Sequence, residues 1–249
     1  MNKLEGKVAV ITGGNSGIGL ATAKRFVAEG ASVYITGRRQ PELDAAVQQI
    51  GKNVTGVQGD VSNLADLDRL YTIVQQQHDH IDVVFANAGL ADVAPLGEIS
   101  EASFDKTFDV NVKGLLFTVQ KALPFLGEGS SIILTASTTT RKVEPAMSVY
   151  AASNAAIRSF ARSWTLDLKG RNIRVNAVSP GPTVTPGISG LAKTEEEQQR
   201  LFAYLAASVP LGRMGDPDEI AKAVVFLASD ESSFVNGIEL FVDGGQAQI

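Results

Sequence analysis

The sequence predicts an α/β fold in which one parallel sheet is covered by helices on both faces. Short runs rich in β-branched residues alternate with longer stretches of helical period along the 249 residues. This is the pattern of parallel strands joined by right-handed helical crossovers. The first run, KVAVIT, is continuously apolar, which is typical of a strand buried on both faces. No linker, repeat or low-complexity tract divides the chain, so we expect a single doubly wound domain over 1–249, with about seven strands.

Seven segments have the composition of strands. They are rich in Val, Ile and aromatic residues and are bounded by turn-forming residues such as Gly, Pro and Asp. In chain order these segments are 7–12, 31–36, 54–60, 81–89, 130–137, 173–180 and 238–245.

Helical periodicity fills most of the intervals between these segments. After the first run, apolar residues recur at helical spacing until Gly30, a residue that commonly ends helices. Further helices are predicted over 41–50, 64–77, 101–126, 148–169 and 216–229. The least regular stretch, at about 182–210, joins PGPTVTPGISG to a polar EEEQQR segment that reads as an exposed helical start. We expect this stretch to form a lid over a substrate site.

Composition excludes several classes of function. The chain has 22 basic and 27 acidic residues, a net charge of −5, without long charged runs. It therefore lacks the basic patch of a nucleic-acid-binding protein and the cationic face of a membrane-surface helix. The absence of cysteine excludes disulfides and thiolate metal sites, and His78 and His80 have no third ligand in view, so no metal is expected. Without a signal peptide or an apolar stretch of roughly 20 residues, we expect a cytoplasmic protein.

The segment TGGNSGIG lies directly after the first predicted strand and opens the first predicted helix. Glycines at this position let the backbone turn tightly and approach a ligand, while the helix N-terminus offers free N–H groups to a pyrophosphate. The segment therefore predicts a dinucleotide site. The residues assigned to it here are Gly13, Asn15, Ser16, Gly17, Ile18 and Gly19.

The end of the second predicted strand indicates which dinucleotide binds. An acidic residue there would bond the ribose 2′-hydroxyl and repel a 2′-phosphate, but the chain has Gly37, Arg38 and Arg39 instead. Because a guanidinium fits phosphate oxygens, NADP(H) is favoured over NAD(H).

Further motifs occur in the order typical of one enzyme family. They are GDVS at 59–62, ANAG at 86–89, NVKG at 111–114, ILTAS ending at Ser137, SPGPTVT at 179–185 and FVDGG at 241–245. Together with the glycine loop, they resemble the short-chain dehydrogenases/reductases over essentially the whole chain. The resemblance implies a Rossmann-type sheet, hydride transfer between a nicotinamide and a small carbonyl or alcohol substrate, and a homotetramer formed through the helices near 101–126 and 148–169.

The resemblance also implies roles for individual residues. The family's catalytic residues match Ser137, Tyr150 and Asn111, and the position of its YxxxK lysine is occupied by Asn154. In the family the serine orients the substrate oxygen, the tyrosine is the general acid–base and the asparagine supports a proton relay. Matching cofactor contacts, besides the glycine loop and the two arginines, are Asp60, Val61, Asn87, Ala88, Gly89, Tyr150, Asn154, Pro180, Gly181, Thr183 and Thr185.

Asparagine at position 154 raises the main question about activity. A lysine one helical turn after Tyr150 would lower the pKa of the phenol, whereas asparagine offers only hydrogen bonds to a ribose hydroxyl. We therefore expect Tyr150 to titrate near its free value of about 10. Arg158, one turn further along, is a more distant basic residue. Three interpretations stay open: a reductase impaired by a natural or introduced substitution, an enzyme that tolerates asparagine, and a cofactor-binding module without turnover.

Substrate identity is not fixed by these motifs. The lid and the segment after Ala88 are expected to line an apolar pocket. The residues expected there are Pro95, Leu96, Leu191, Phe202 and Leu205. Ketones, β-ketoacyl thioesters and steroids stay open as substrates, and sugars are less favoured.

Overall fold

A seven-stranded parallel sheet forms the centre of the molecule. The computed structural model describes residues 2–249, so that only Met1 of the predicted domain lies outside it. The strand order is β3-β2-β1-β4-β5-β6-β7, and every neighbouring pair is parallel. The strands are β1 (Val8–Ile11), β2 (Ser32–Gly37), β3 (Val54–Gln58), β4 (Ile81–Ala86), β5 (Leu126–Thr135), β6 (Arg174–Pro180) and β7 (Glu239–Val242). The predicted Rossmann-type fold is confirmed.

Helices cover both faces of this sheet. They are α1 (Gly17–Ala28), α2 (Gln40–Ile50), α3 (Leu64–Gln77), α4 (Glu101–Phe108), α5 (Leu115–Ala122), α6 (Ser148–Asp167), α7 (Pro186–Ser189), α8 (Glu195–Ala207) and α9 (Pro217–Ala228). Several helices begin at a side-chain cap: Asn63 accepts a hydrogen bond from the Ala65 amide, and Thr194 accepts one from the Glu197 amide. No helix within residues 2–249 is long and apolar enough to cross a membrane.

The pleat of the strands divides the core into two layers. Val8 and Val10 of β1 pack in the cluster that holds α3, α5 and α6, whereas Ala9 and Ile11 pack in the cluster that holds α1, α2 and α9. Successive side chains of a strand point to opposite faces, so a central strand buried on both sides must be apolar at every position. This explains the continuous run that marked β1 in the sequence.

The helix predicted over 101–126 is interrupted. Between α4 and α5 the chain forms a π-helical turn over Asp109–Gly114, and Leu123–Phe125 tightens into a 3₁₀ turn. A Cβ on Gly114 would lie 2.8 Å from Cγ2 of Val61, so glycine lets this turn approach the loop after β3. Such a turn inserts a residue into the helical register and often occurs at functional sites. The spacing of apolar residues in the sequence does not reveal the π-helical turn, because the apolar stripe continues in α4 before it and in α5 after it.

The lid region is more regular than its sequence indicates. Within 182–210, α7 and α8 form, although no residue of either helix is fully buried. The region is held at its base, where Thr183 pairs with Gly215 in an isolated parallel bridge. The acidic first turn of α8 suits the positive end of the helix dipole and supports a helix that has little packing of its own.

The start of α9 combines a capping box with an ion pair. The Asp216 side chain accepts from the Asp218 amide at 2.8 Å, and Glu219 Oε2 accepts from the Asp216 amide at 2.8 Å. Arg213 donates to both Glu219 oxygens at 2.7 Å. These bonds lower the pKa of Glu219 from 4.5 to about 2, the Arg213 bonds contributing most and the Asp216 amide next.

We expect Glu219→Gln to lower the free energy of unfolding by about 1 kcal/mol at neutral pH, because the charged bonds to Arg213 are lost and the side chain is partly exposed. The pKa of Glu219 is depressed in the folded state, so this contribution is present above the unfolded value of 4.5 and disappears as the pH falls toward about 2. Urea denaturation of both proteins across this range measures the difference. The control is Glu195→Gln, the same charge change in the first turn of α8; an equal loss in both variants would contradict the prediction.

Candidate active site

A cavity of about 820 Å³ lies along the carboxyl ends of the strands. Its walls are the loops that follow β1 to β6, on both sides of the point where the strand order reverses between β1 and β4. Ligands of open α/β sheets bind at such a point. Every residue predicted as catalytic or cofactor-binding lines this cavity except Gly19. A Cβ on Gly19 would collide with the Gly13 carbonyl oxygen. Gly19 therefore does not face the cavity, but its lack of a side chain lets the first turn of α1 pack directly against the glycine loop.

The glycine loop is locked to the loop after β4. Thr12 Oγ1 accepts the amide hydrogens of Asn87 and Ala88, each at 3.0 Å, and Asn87 Nδ2 donates to the Thr12 carbonyl at 3.0 Å. Gly13 has a φ of +65°, and a Cβ there would lie 3.1 Å from the Cα of Ala88. Only glycine allows this close approach without strain. The two loops therefore form one rigid wall, above which the N-terminus of α1 opens into the cavity.

The two arginines after β2 differ in their surroundings. Arg39 pairs with Glu42 at 2.5 Å, one turn into α2. Among the described residues Arg38 has no acidic side chain within ion-pair distance, and its carbonyl accepts from Gln58 Nε2 at 3.0 Å. Both line the cavity, but Arg38 has the uncompensated charge.

The wall beside β3 combines a hydrogen-bonded carboxylate with an apolar side chain. The Asp60 carboxylate accepts from the amide and the hydroxyl of Ser62, at 2.9 and 2.7 Å, so it holds its own turn. Val61 beside it is buried and lines the cavity. A flat apolar contact next to an engaged carboxylate fits an adenine ring, and the open helix N-terminus with free Arg38 fits phosphate groups.

Ser137 follows β5 and begins a short 3₁₀ turn over Thr138–Thr140. Its Oγ accepts from the Thr139 amide at 3.2 Å, which fixes the side chain while leaving the hydroxyl hydrogen for another acceptor. Tyr150 and Asn154 lie one turn apart on α6 and line the same cavity. The three side chains predicted for catalysis at this end are therefore brought together by two separate elements.

Asn154 is bonded to its own helix. It is buried, and its Nδ2 donates to the Tyr150 carbonyl at 2.9 Å. Ser153 Oγ donates to the same carbonyl at 2.7 Å. One hydrogen of the side-chain amide is thus used within α6, and no cation occupies this turn.

The phenol of Tyr150 is harder to ionise than the sequence predicts. Burial raises its pKa above the ordinary value, and the neighbouring polar side chains of Ser137 and Asn154 offset only part of this. The expected titration near the free value is therefore too low. Period and spacing do not reveal how deeply a helix turn is covered, and desolvation penalises the phenolate wherever no cation compensates it.

Asn111 positions two parts of the site. Its Oδ1 accepts from the Leu90 amide at 2.9 Å, while Nδ2 donates to the Leu90 carbonyl at 2.9 Å and to Ser153 Oγ at 3.1 Å. Both amide hydrogens are therefore used. The side chain, presented by the π-helical turn, joins the loop after β4 to α6.

Arg158 is bonded to groups other than Tyr150. Its Nε lies 3.3 Å from Glu239 Oε2, and its Nη1 donates to the Gly237 carbonyl at 2.9 Å. The Glu239 carboxylate is buried, with 9% of its side chain accessible. Its other oxygen accepts from Thr140 Oγ1 at 2.5 Å and Ser179 Oγ at 2.7 Å. One carboxylate thus joins α6, the turn after Ser137 and the end of β6.

The substrate end of the cavity differs in part from the expectation. Leu191 and Leu205 line it as predicted, but Pro95, Leu96 and Phe202 do not. Leu96 is 92% exposed, because the segment after Ala88 folds away from the cavity beyond Val93. The apolar wall is completed by side chains from α7, α8 and the loop before α6. These are Ile188, Leu201, Tyr204, Pro145 and Met147.

Gln246 lines the cavity without having been predicted. It is buried, its Oε1 accepts from Thr138 Oγ1 at 3.1 Å, and its Nε2 donates to Ser208 Oγ at 2.9 Å. It therefore joins the turn after Ser137 to the end of α8. Its place just after the FVDGG motif was the only sequence signal, and that motif gives no reason to expect a contact with residues so distant in the chain.

His78 and His80 lie between α3 and β4. His78 ends α3, and His80 Nδ1 lies 2.7 Å from Asp79. Within residues 2–249 no three acidic or imidazole side chains are placed to hold a metal ion.

Fold and site together define a dinucleotide-binding α/β protein. A family model described as enoyl-(acyl carrier protein) reductase matches residues 13–247. The chain is 48% identical to an oxidoreductase, asL5, of Sarocladium schorii over 100% of its own length and 99% of that protein's. It is 36% identical to an NADP-dependent (R)-specific alcohol dehydrogenase of Lentilactobacillus kefiri, over 98% of each. The crystal structure of levodione reductase superposes with a TM-score of 0.91 at 29% identity, over 98% of this chain and 99% of that one.

The chain belongs to the short-chain dehydrogenase/reductase family, and it is an oxidoreductase of that family. Members use NAD(P)H and act on small carbonyl or alcohol compounds. The family resemblance read from the motifs is thereby confirmed.

We expect Arg158→Ala to lower the free energy of unfolding by about 1–3 kcal/mol, because the buried Glu239 carboxylate loses its cation. Urea denaturation at neutral pH measures the loss. The matched control is Arg162→Ala, an exposed arginine one turn along the same helix. If the two variants lost equal stability, the Arg158–Glu239 pair would have no special role.

Proposed function

We propose that this chain is an NADP(H)-dependent oxidoreductase that transfers a hydride between the nicotinamide and a ketone or oxoacyl type of carbonyl, and that Asn154 makes it slow. The observation that carries the proposal is the meeting of Ser137, Tyr150 and the glycine loop in one cavity. The alternative is a binding module of weak or no activity. A module that only held the cofactor would have no chemical need for Ser137 beside Tyr150.

The cofactor half fits a dinucleotide with a 2′-phosphate. Gly13 and the open N-terminus of α1 suit the pyrophosphate, Val61 suits the adenine, and Arg38 has a free charge for the additional phosphate. The segments after β4 and β6 that contain the remaining predicted contacts lie along the same cavity. When bound, the cofactor supplies or accepts the hydride; all other functions belong to the protein.

The protein's own groups would then act on the substrate oxygen. Ser137 donates a hydrogen bond from Oγ to the carbonyl oxygen, and Tyr150 transfers its phenolic proton to the same oxygen as the carbon gains a hydride. The products are an alcohol and a phenolate that must regain a proton. In the reverse direction the phenolate removes the proton of an alcohol. Asn111 keeps α6 and the loop after β4 in register during both reactions.

Slow turnover follows from the electrostatics of Tyr150. Its phenol is partly buried and has no cation in the same turn, so desolvation raises its pKa, and the arginine one turn further along α6 is bonded to Glu239. General acid–base catalysis contributes roughly 10²- to 10⁴-fold in rate, so poor tuning should remove a good part of it. An alcohol would be oxidised efficiently only at high pH.

Two further parts of the proposal concern the lid and the assembly. We propose that α7 and α8, within about 182–210, close over a bound substrate, since no residue of either helix is fully buried and Tyr204 is 67% exposed.

We also propose a homotetramer, supported by the family and by the apolar surface of α6, where Phe160 stacks on Trp164 and Leu166 is exposed. The cytoplasmic location stays a prediction.

The first test concerns Arg38. We expect the protein to bind NADPH more tightly than NADH by about 1–3 kcal/mol, because charged hydrogen bonds to the 2′-phosphate are the stronger kind. Arg38→Ala should narrow this difference mainly by weakening NADPH, and Arg39→Ala should narrow it less, since Glu42 already pairs with Arg39. Fluorescence titration of both cofactors measures the affinities. Equal affinities for NADPH and NADH in the unmodified protein would overturn the preference.

The second test concerns Asn154. We expect Asn154→Lys to raise kcat for carbonyl reduction by on the order of 10² or more, because an ammonium near the phenol lowers the pKa of Tyr150. The rate of alcohol oxidation should reach its plateau at a lower pH in the lysine variant, because the Tyr150 phenolate then forms more easily. The affinity for NADPH should change less than kcat.

The control for this test is Ala155→Lys, which adds the same charge at the next, exposed position of α6. Rates and pH profiles are measured for both variants with one shared ketone. Matching profiles for the asparagine and lysine forms would show that the enzyme tolerates asparagine. Tight NADPH binding without turnover in either form would favour the binding module.

A further inference from the structure

A chain of hydrogen bonds connects the turn after Ser137 to the apolar wall that α8 contributes to the cavity. Thr138 Oγ1 donates to Gln246 Oε1 at 3.1 Å, and Gln246 Nε2 donates to Ser208 Oγ at 2.9 Å. Ser208 Oγ in turn donates to the Leu205 carbonyl at 2.8 Å. All of these residues line the cavity. The chain therefore spans the substrate end of the site, from the residue after the serine to a side chain of the wall.

Each group in this chain has one possible role. The Leu205 carbonyl can only accept, so the single hydroxyl hydrogen of Ser208 is used there. Ser208 Oγ must then accept from Gln246, which has to present its Nε2 to the serine and its Oε1 to Thr138. Thr138 and Gln246 are both buried, where a lost partner is costly. A residue that could not both donate and accept would break the chain.

The turn after Ser137 is the fixed end of the chain. Thr140 Oγ1 donates to the buried Glu239 carboxylate, and Ser137 Oγ accepts from the Thr139 amide at 3.2 Å. In contrast, no residue of α8 is fully buried. A break in the chain would therefore displace α8 rather than the serine.

The C-terminal end of α8 is held by the same segment that contains Gln246. The Leu211 amide donates to the Gly244 carbonyl at 3.3 Å, and a Cβ on Gly244 would lie 2.5 Å from Cγ1 of Val209. These contacts hold the residues that follow α8 close to the segment after β7. Gln246 extends this attachment to the turn after Ser137.

We propose that Gln246 is a positioning residue that fixes the distance between Ser137 and the wall formed by α8, and so limits the size of the substrate. This rests on the proposed function, because the reacting oxygen is taken to lie at Ser137. The room for the apolar substituent of the carbonyl carbon is then set by Leu205 and by Leu201 one turn earlier, which both line the cavity. A wall at a fixed distance discriminates substituents by roughly tenfold or more per methylene.

The test measures the size preference of the site without turnover. The ligands are methyl ethyl ketone, methyl butyl ketone and methyl hexyl ketone, which share the reacting group and differ in the length of one substituent. Their dissociation constants are measured by calorimetry with the protein saturated with NADP⁺, which cannot reduce a ketone. The dissociation constant of NADPH is measured for each protein as well.

The variants break the chain at each link. They are Gln246→Met, which keeps the length of the side chain without its amide, Thr138→Val, Ser208→Ala, and the double variant of Thr138→Val with Ser208→Ala. The matched control is Gln248→Met, the same change at an exposed position of the short turn that contains Gln246.

We expect Gln246→Met to shift the ratio of affinities toward methyl hexyl ketone, relative to methyl ethyl ketone, by on the order of tenfold, because α8 can then move away from the serine. Thr138→Val and Ser208→Ala should shift the ratio in the same direction. The double variant should shift it no further than the larger single effect, since a chain broken at one link no longer connects its ends. Gln248→Met should leave the ratio unchanged, and the affinity for NADPH should change in none of the variants.

Several outcomes would overturn the inference. They are an unchanged ratio in Gln246→Met, an equal loss of affinity for all three ketones and NADPH, additive effects of Thr138→Val and Ser208→Ala, and no binding of any ketone by the wild type. If Gln246→Met does not fold, Ser208→Ala decides the result, because it removes one half-buried hydroxyl. Failure of the proposed function is read separately, as absence of NADPH consumption with all three ketones in wild type and in Asn154→Lys.

Discussion

The geometry of the candidate active site depends on the bonds that the buried Glu239 carboxylate accepts. It comes from the last strand and bonds Arg158 of α6, Thr140 of the turn after Ser137, and Ser179 at the end of β6. These three elements contain Tyr150, the turn that follows Ser137, and the strand that leads to the proposed lid. A charge buried at this depth must be paired and fully bonded, so any shift of one element is opposed by the other two.

The same constraint explains the state of Tyr150. Arg158 neutralises Glu239 and has no charge left for the phenol, although it lies on the same helix. Asn154 between them is buried and bonded to the Tyr150 carbonyl. From Tyr150 to Arg158, α6 therefore contains one cationic side chain, that of Arg158, and its guanidinium is bonded to Glu239 and Gly237. Tyr150, the proposed acid–base group, therefore has no cation from α6 beside its phenol.

Much of the fold could be predicted from local sequence. Continuous apolar runs identified β1 and its neighbours because strands buried on both faces have no polar positions. The glycine loop was found because a turn such as the one at Gly13 requires a residue without a side chain. Local patterns failed at the π-helical turn over Asp109–Gly114, where the apolar stripe continues unchanged, and they indicated only the start of α8, whose apolar stripe is weak.

The sequence by itself determined the sheet, the dinucleotide loop and the set of motif residues, since these depend on spacing within a few turns of chain. Only the tertiary structure decided that Arg158 pairs with Glu239, that Gln246 joins the Ser137 turn to α8, and that the buried Thr139 hydroxyl has no partner among the described residues. Gln246 lies 108 residues from Thr138 along the chain. Periodicity reports which face of an element is buried, but the partner of a buried polar atom is set by where distant segments pack, and no local pattern contains that information.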